Sequence, residues 1–336
     1  MTLDRHITLA HGNGGRFMHD LIDGIFARHL ANPSLNVTLD AAPLCPIPSM
    51  ETLITTDGFT VKPLEFPGGD IGSLAVNGTV NDLAVSGAEP RYLTLSAIIE
   101  EGLETEQLDR IVQSLAEAAR KACVQVVAGD TKVVPRGEGG GLYLVTTGVG
   151  QRAPGCGLGI AAIRKNDVIL VSGPVGDHGI AVMLARGEFE LTGTVSSDCA
   201  AVTPFTLPIA TNPAVRFMRD PTRGGLATVA HEIAQATLMD VHLSELRIPV
   251  RDTVRSVCEI LGYDPYYLAC EGRVVAVVAA DAAEGILAAW RALPGGVDAC
   301  AIGRLRKGQG RVILKTAIGG HRLLDELEDD PLPRIC

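Results

Sequence analysis

At 336 residues the chain is longer than a single hydrophobic core usually serves, so two domains are expected. Its 39 acidic residues against 29 basic ones give a formal net charge of −10, the wrong sign for a phosphate backbone or an anionic lipid surface, which argues against nucleic acid and membrane as partners. No apolar run approaches the about 18 residues that span a bilayer, no signal-peptide core follows Met1-Thr2-Leu3-Asp4-Arg5-His6, and the eight cysteines form no C-x-x-C pair, so a cytoplasmic protein with reduced thiols is expected.

Residues 1–40 open on the glycine-rich loop His11-Gly12-Asn13-Gly14-Gly15, followed by Phe17, Met18, Leu21, Ile22, Ile25 and Phe26 at helical spacing. Residues 41–155 read as the first domain. Within it, a strand over 52–56 ends at Asp57-Gly58, and the apolar stretch 71–88 carries Ser73, Asn77 and Asn81 four residues apart, one polar stripe on a buried rod. A strand over 92–99, an amphipathic helix over 104–122 with acids in its first turn and Arg120-Lys121 in its last, and strands near 124–128 and 142–149 follow.

The Gly/Pro-rich segment 151–159 marks a boundary, and residues 156–320 read as a second domain. There a buried strand over 168–171 runs through Ser172-Gly173-Pro174-Val175-Gly176-Asp177-His178-Gly179 into a helix ending near Arg186. A strand over 215–218 leads through Asp220-Pro221-Thr222-Arg223-Gly224-Gly225 into a helix over 226–236, and a strand over 273–280 precedes a helix over 282–293. Residues 321–336 read as a flexible tail, charged and punctuated by Pro331 and Pro333, that ends in Cys336. Strands and helices alternating in two successive units predict an α+β (mixed α/β) fold, two layers of sheet covered by helices.

The residues suited to chemistry cluster beside glycines: Asp57-Gly58, Asn81-Asp82, Gly129-Asp130-Thr131-Lys132 and Asp220 with its following turn. Several carboxylates with one lysine suit a hard cation and phosphate oxygens better than a soft metal. Asp57 and Asp220 taken singly also read as ordinary turn or cap residues, and Ser73, Asn77 and Asn81 as helix-packing polar groups satisfied by nearby backbone. The loop from His11 to Gly15 reads either as a nest of N–H groups for phosphate or as a plain entry loop. Glu271 precedes an apolar strand, where an unpaired carboxyl has a raised pKa, or else is a strand-end acid that pairs with Arg273 or is solvated. A terminal cysteine is rare because the exposed thiol is reactive, and an extended tail of about fifteen residues spans about 50 Å.

Together these segments resemble the superfamily of aminoimidazole ribonucleotide synthetase, selenophosphate synthetase and thiamine-phosphate kinase, and within it the HypE family of hydrogenase maturation proteins. The loop from His11 to Gly15, Thr55-Thr56-Asp57-Gly58, Asn77-Gly78-Thr79-Val80-Asn81-Asp82, Gly129-Asp130-Thr131-Lys132, the Asp220 turn and above all Pro333-Arg334-Ile335-Cys336 carry the resemblance. Position 13 is Asn where the family commonly has Ser, which leaves the backbone donors in place.

The resemblance implies an N-terminal domain that pairs into a β-barrel at a homodimer interface with ATP and Mg2+ nearby. It also implies a partner, the carbamoyltransferase HypF, that loads a carbamoyl group onto Cys336, and dehydration of that group to a thiocyanate whose cyano group passes to iron on a HypC–HypD complex. By the same resemblance Gly12, Gly14, Gly15, Asp57, Asn77, Asn81, Asp82, Asp130, Thr131 and Asp220 bind the nucleotide. Asp57, Asp82, Asp130 and Asp220 hold the metal, and Cys336, Glu271 and Lys132 carry the chemistry. The competing expectations are a small-molecule kinase or synthetase of the same superfamily, or a nucleotide-binding scaffold without catalysis.

Overall fold

The computed structural model describes residues 5–12, 16–35, 49–187 and 193–327. Among the described residues there are thirteen strands: β1 (Glu51–Phe59), β2 (Glu65–Phe66), β3 (Gly69–Asp70), β4 (Ala88–Glu100), β5 (Gln125–Val134), β6 (Leu142–Arg152), β7 (Val168–Val171), β8 (Val215–Arg219), β9 (Met239–Ser244), β10 (Val275–Val278), β11 (Cys300–Lys307), β12 (Val312–Lys315) and β13 (His321–Leu323). They form a four-stranded sheet in the order β1-β6-β4-β5, a seven-stranded sheet in the order β13-β12-β9-β11-β7-β10-β8, and the short pair β2-β3. Mixed sheets with helices laid over them give the predicted α+β fold.

In the first sheet only β4 and β5 run parallel. Parallel neighbours need a crossover, and the helix Thr105–Lys121 supplies it. That helix has one apolar face, with Leu108, Ile111, Val112 and Leu115 all buried, as its spacing predicts.

The helix Ile71–Val85 is a different object. Asp70 caps it, accepting from Gly72 N at 2.7 Å and Ser73 N at 2.9 Å, while Ser73 Oγ accepts from Asp70 N at 3.0 Å, a reciprocal capping box. Ser73 thus serves the cap, apart from Asn77 and Asn81. Thirteen of the fifteen residues are buried. A helix buried nearly all round, polar stripe included, must be covered nearly all round. Leu74, Ala75, Val76 and Val80 join the core under the first sheet, whereas Ala84 and Val85 join a core with Val168, Leu170, Met218 and Ala276 of the second sheet. At about 1.5–3 kcal/mol for each large side chain buried, this rod welds the two units together.

The seven-stranded sheet is antiparallel except between β12 and β9. One face packs Val241, Leu243, Leu305, Val312 and Leu314 against the helix Gly225–Thr237, and the other packs Leu170, Ala276 and Val278 against the helix Ala283–Arg291. Among the described residues no helix is long and apolar enough to cross a membrane.

Candidate active site at the domain seam

Alternation along β1 turns Thr55 and Asp57 toward the helix Ile71–Val85, on the face where Thr146 Oγ1 donates to Ala75 O at 3.1 Å. The last turn of that helix brings Asp82 across the gap, and Thr55 Oγ1 donates to Asp82 Oδ2 at 2.8 Å. Burial, the Asp82 charge and a hydrogen bond shared with Asp82 push Asp57 up to about 6, with Arg223 pulling the other way.

The second domain contributes the remaining acids. At the end of β8, Pro221 has no N–H with which to continue a strand, and the chain turns at Gly224 and Gly225, both at positive φ. A Cβ at Gly225 would press against the carbonyl oxygens of Leu268 and Tyr266, so this loop fits only as glycine. The packing sets Asp220 deep in the seam, where burial and then the Asp82 charge push its pKa up to about 7. Pro221 O accepts from Cys270 N at 3.0 Å, which fixes the next loop, and Glu271, alongside.

Glu271 is 4 % exposed. Burial, then the charges of Asp220, Asp198, Asp57 and Asp82, raise its pKa well above the ordinary carboxyl range. Its backbone is clamped on both sides: Glu271 N donates to Asp198 Oδ1 at 3.1 Å, and Glu271 O accepts from Asn81 Nδ2 at 3.2 Å and Ala200 N at 3.3 Å. Asn81 also donates to Ala200 O at 3.1 Å and accepts from Val202 N at 2.8 Å, so its carboxamide uses both its hydrogens and its oxygen to hold backbone. Of the two readings of Asn81, the packing amide accounts for every bond it makes here. Asn77 likewise faces the same strap, donating to Cys199 Sγ at 3.4 Å.

Arg273 is engaged behind this loop, 3.3 Å from Asp198 and 3.7 Å from Asp177, and it donates to Pro174 O at 3.0 Å. Buried charges need such partners, so Asp198 and Arg273 are the foundation on which Glu271 stands. Sequence reasoning missed Asp198, because Ser196-Ser197-Asp198-Cys199 carries no periodicity or motif. His178 is fully buried with Nδ1 2.8 Å from Ser197 Oγ, and burial lowers it to about 3, which fits a core histidine.

Asp130 and Lys132 occupy a different position. They lie inside β5, not in a loop at a strand end: the strand, at the sheet edge, stays paired with β4 as far as Val134. Asp130 pairs with Ser96 and Lys132 with Ile98, so both project from the sheet face opposite to Asp57, whereas Thr131 is buried on the helix-facing side. Within one chain the structure brings together Asp57, Asp82, Asp220 and Glu271 and leaves Asp130 and Lys132 on the outward face. Gly12 ends a short 3-10 turn, Leu9–Gly12, and Gly14, Gly15 and Cys336 lie outside the described residues.

Two clefts flank the acids. One, of about 630 Å³, is lined by Gly58, Thr60, Arg223, Gly224 and Leu327, and the other, of about 310 Å³, by Thr55, Asp82, Arg152 and Arg219. Among the described residues no three of His, Cys, Asp and Glu form a metal cage by themselves. Four crowded carboxyls, with the proton affinity of Asp57, Asp220 and Glu271 raised, nevertheless fit a cation that also takes phosphate oxygens and water, as magnesium does.

Two sheets joined by a shared buried helix, with an acid cluster and a clamped glutamate at the seam, define a protein of the AIR synthase class. The family model for the N-terminal domain of AIR synthase related proteins matches residues 39–151, and that for the C-terminal domain matches residues 164–315. The carbamoyl dehydratase HypE of Rhodobacter capsulatus is 46% identical over 337 residues, covering 99% of each chain. A crystal structure of the hydrogenase maturation protein HypE in complex with ATP superposes with TM-score 0.93 at 42% identity over 100% of both chains. A HypE–HypF complex superposes with TM-score 0.80 at 42% identity, over 91% of this chain and 99% of that one. The chain belongs to the HypE family of carbamoyl dehydratases, which act in hydrogenase maturation.

Proposed function

We propose that this chain uses ATP to dehydrate a carbamoyl group carried on the sulfur of its own Cys336, giving a thiocyanate that supplies the cyanide ligand of hydrogenase iron. The observation that carries this reading is the convergence at the domain seam of Asp57, Asp82, Asp220 and the clamped Glu271. The ATP complex and the HypF complex of its relatives support nucleotide binding and a carbamoyltransferase partner.

In this reading residues 41–155 form the ATP-binding and dimerisation domain, 156–320 the second domain and 321–336 the tail. Asp57, Asp82 and Asp220, with Asp130, would hold magnesium, with Gly12, Gly14, Gly15, Asn77, Asn81 and Thr131 around the nucleotide. ATP would supply the phosphoryl group that makes the amide oxygen a leaving group, and the metal would neutralise its charge. Loss of that oxygen as phosphate, together with both N–H protons, leaves the nitrile. Glu271 takes a proton from the thiocarboxamide nitrogen, a role for which its raised proton affinity suits it. Lys132 offsets charge on the transferring phosphoryl group.

A homodimer is part of the proposal. Ile54 is 71% exposed on the outward face of the first sheet, and register sets it in one cross-strand row with Val149 and Tyr92. A second copy laid on that face would cover this row and close a barrel, and it would set the exposed Asp130 and Lys132 of one copy at the interface. Cyano transfer to a HypC–HypD iron complex completes the scheme.

The experiment is intact-mass spectrometry of the C-terminal peptide after incubation with carbamoyltransferase, carbamoyl phosphate and Mg-ATP. The expected result is a carbamoyl adduct that loses water only with ATP and never forms in Cys336→Ala. An unmodified tail beside ATP turnover on a diffusing acceptor would replace this reading with a small-molecule kinase.

A further inference from the structure

The second face of the seven-stranded sheet is only half covered. The helix Ala283–Arg291 and its core overlie β8, β10, β7 and the start of β11 at Ala301, and among the described residues leave the rest of β11 with β9, β12 and β13 open. Alternation puts Leu305, Val241 and Leu314 under the helix Gly225–Thr237, and therefore turns Arg304, Arg306, His242 and Lys315 outward on this open half. His321 joins them from β13 and Arg247 from the turn after β9, around a depression of about 320 Å³.

Arg247, Arg304, Arg306 and Lys315 are exposed, and none has an ion pair among the described residues. The acid on this face, Asp240, is buried and committed: it accepts from Gln309 N at 2.8 Å and from Arg311 N and Nη2 at 3.1 Å. On a chain of net charge −10, four exposed cations gathered on one surface form a local field opposite to that of the molecule.

We propose that this face docks an acidic, extended segment of a partner protein. The geometry selects that occupant. Backbone N–H groups here are spent in the ladders of β9, β11 and β12, so no nest of donors converges on a single phosphate. Arg304 and Arg306 stand instead about 6–7 Å apart along β11, and Lys315 lies two strands over on β12, about 10 Å across the sheet, a spacing that meets carboxylates strung along a chain. Across four strands the patch spans about 15 Å, the length of about five extended residues. The overall charge repels a nucleic-acid backbone at long range, while a short acidic segment meets the local field.

The test uses the full chain and a fluorescein-labelled hexaglutamate peptide read by anisotropy, first at low ionic strength and again at about 150 mM salt, where the Debye length falls to about 8 Å. Saturable binding is expected, weakened at least about tenfold by Arg304→Glu with Arg306→Glu, a loss of about 1.4 kcal/mol. Arg120→Glu with Lys121→Glu on the helix Thr105–Lys121, which makes the same change in net charge away from the patch, is expected to leave binding intact. Equal loss in both double variants would reduce the effect to net charge and overturn the proposal. Absence of binding to the unaltered chain would do so too. Displacement of the peptide by inorganic phosphate or by an oligothymidylate at lower concentration than by unlabelled hexaglutamate would reassign the face to a phosphate ligand.

Discussion

Asn81 of the first domain donates from its carboxamide to the carbonyl oxygen of Glu271 in the second, at 3.2 Å, in a seam closed to water. The same carboxamide holds Ala200 and Val202, so one side chain ties the glutamate's backbone to the helix that both domains share. Asn81→Ala strands three buried backbone partners and is expected to lower unfolding stability by about 3 kcal/mol, measured by urea denaturation. Dehydratase turnover is expected to fall further than ATP binding, since the acids stay in place while Glu271 is released.

Glu271→Gln keeps the size of the side chain and its backbone clamp but removes the base. Nucleotide binding by calorimetry is expected to remain within a few fold, with tail carbamoylation unchanged and nitrile formation lost by about 10²–10⁴-fold, the usual worth of a positioned general base. Full turnover in this variant would move the role to another residue.

The acid cluster predicts a pH signature. Asp57 is raised to about 6 and Asp220 to about 7 from 3.8 in the unfolded chain, so between about pH 4 and 7 the folded protein holds protons that the unfolded one has released. Their contribution to stability is complete below about pH 4 and declines as pH rises to about 7. Asp220→Asn is expected to flatten that decline, and magnesium to raise the melting temperature more at pH 8 than at pH 5. Equal slopes in the two proteins would contradict the raised value.

Asp57 and Lys132 project from opposite faces of one sheet. If the outward face meets a second copy, Asp57→Asn and Lys132→Ala are each expected to be inactive alone. In mixed dimers they are expected to recover about half of a wild-type dimer's activity, because one of two symmetric sites then draws both native residues from different chains. No recovery on mixing would place both residues in the same chain's site.

Much of this protein was legible in the linear chain. The amphipathic spacing of 104–122 and the strand pattern of 168–171 return as the helix Thr105–Lys121 and as β7, since local periodicity reports which face is buried. The motifs around Asp57, Asp82 and Asp220 likewise mark residues that converge. Beyond Asp220 the helix Asp252–Leu261 and strands β11 to β13 drew no expectation, because short segments without strong alternation take their form from their neighbours.

What the sequence determined by itself was composition, the two-unit pattern, the acids and the terminal Cys336, all properties of residue type and local order. Only the tertiary structure decided that Asn81 clamps backbone, that Asp198 and Arg273 support Glu271, and that Asp130 and Lys132 face away from Asp57. The reason is physical. A side chain's role depends on what lies across the seam and on which face of a strand it occupies, and both are set by pairing between segments 70 to 190 residues apart, distances over which local propensity carries no information.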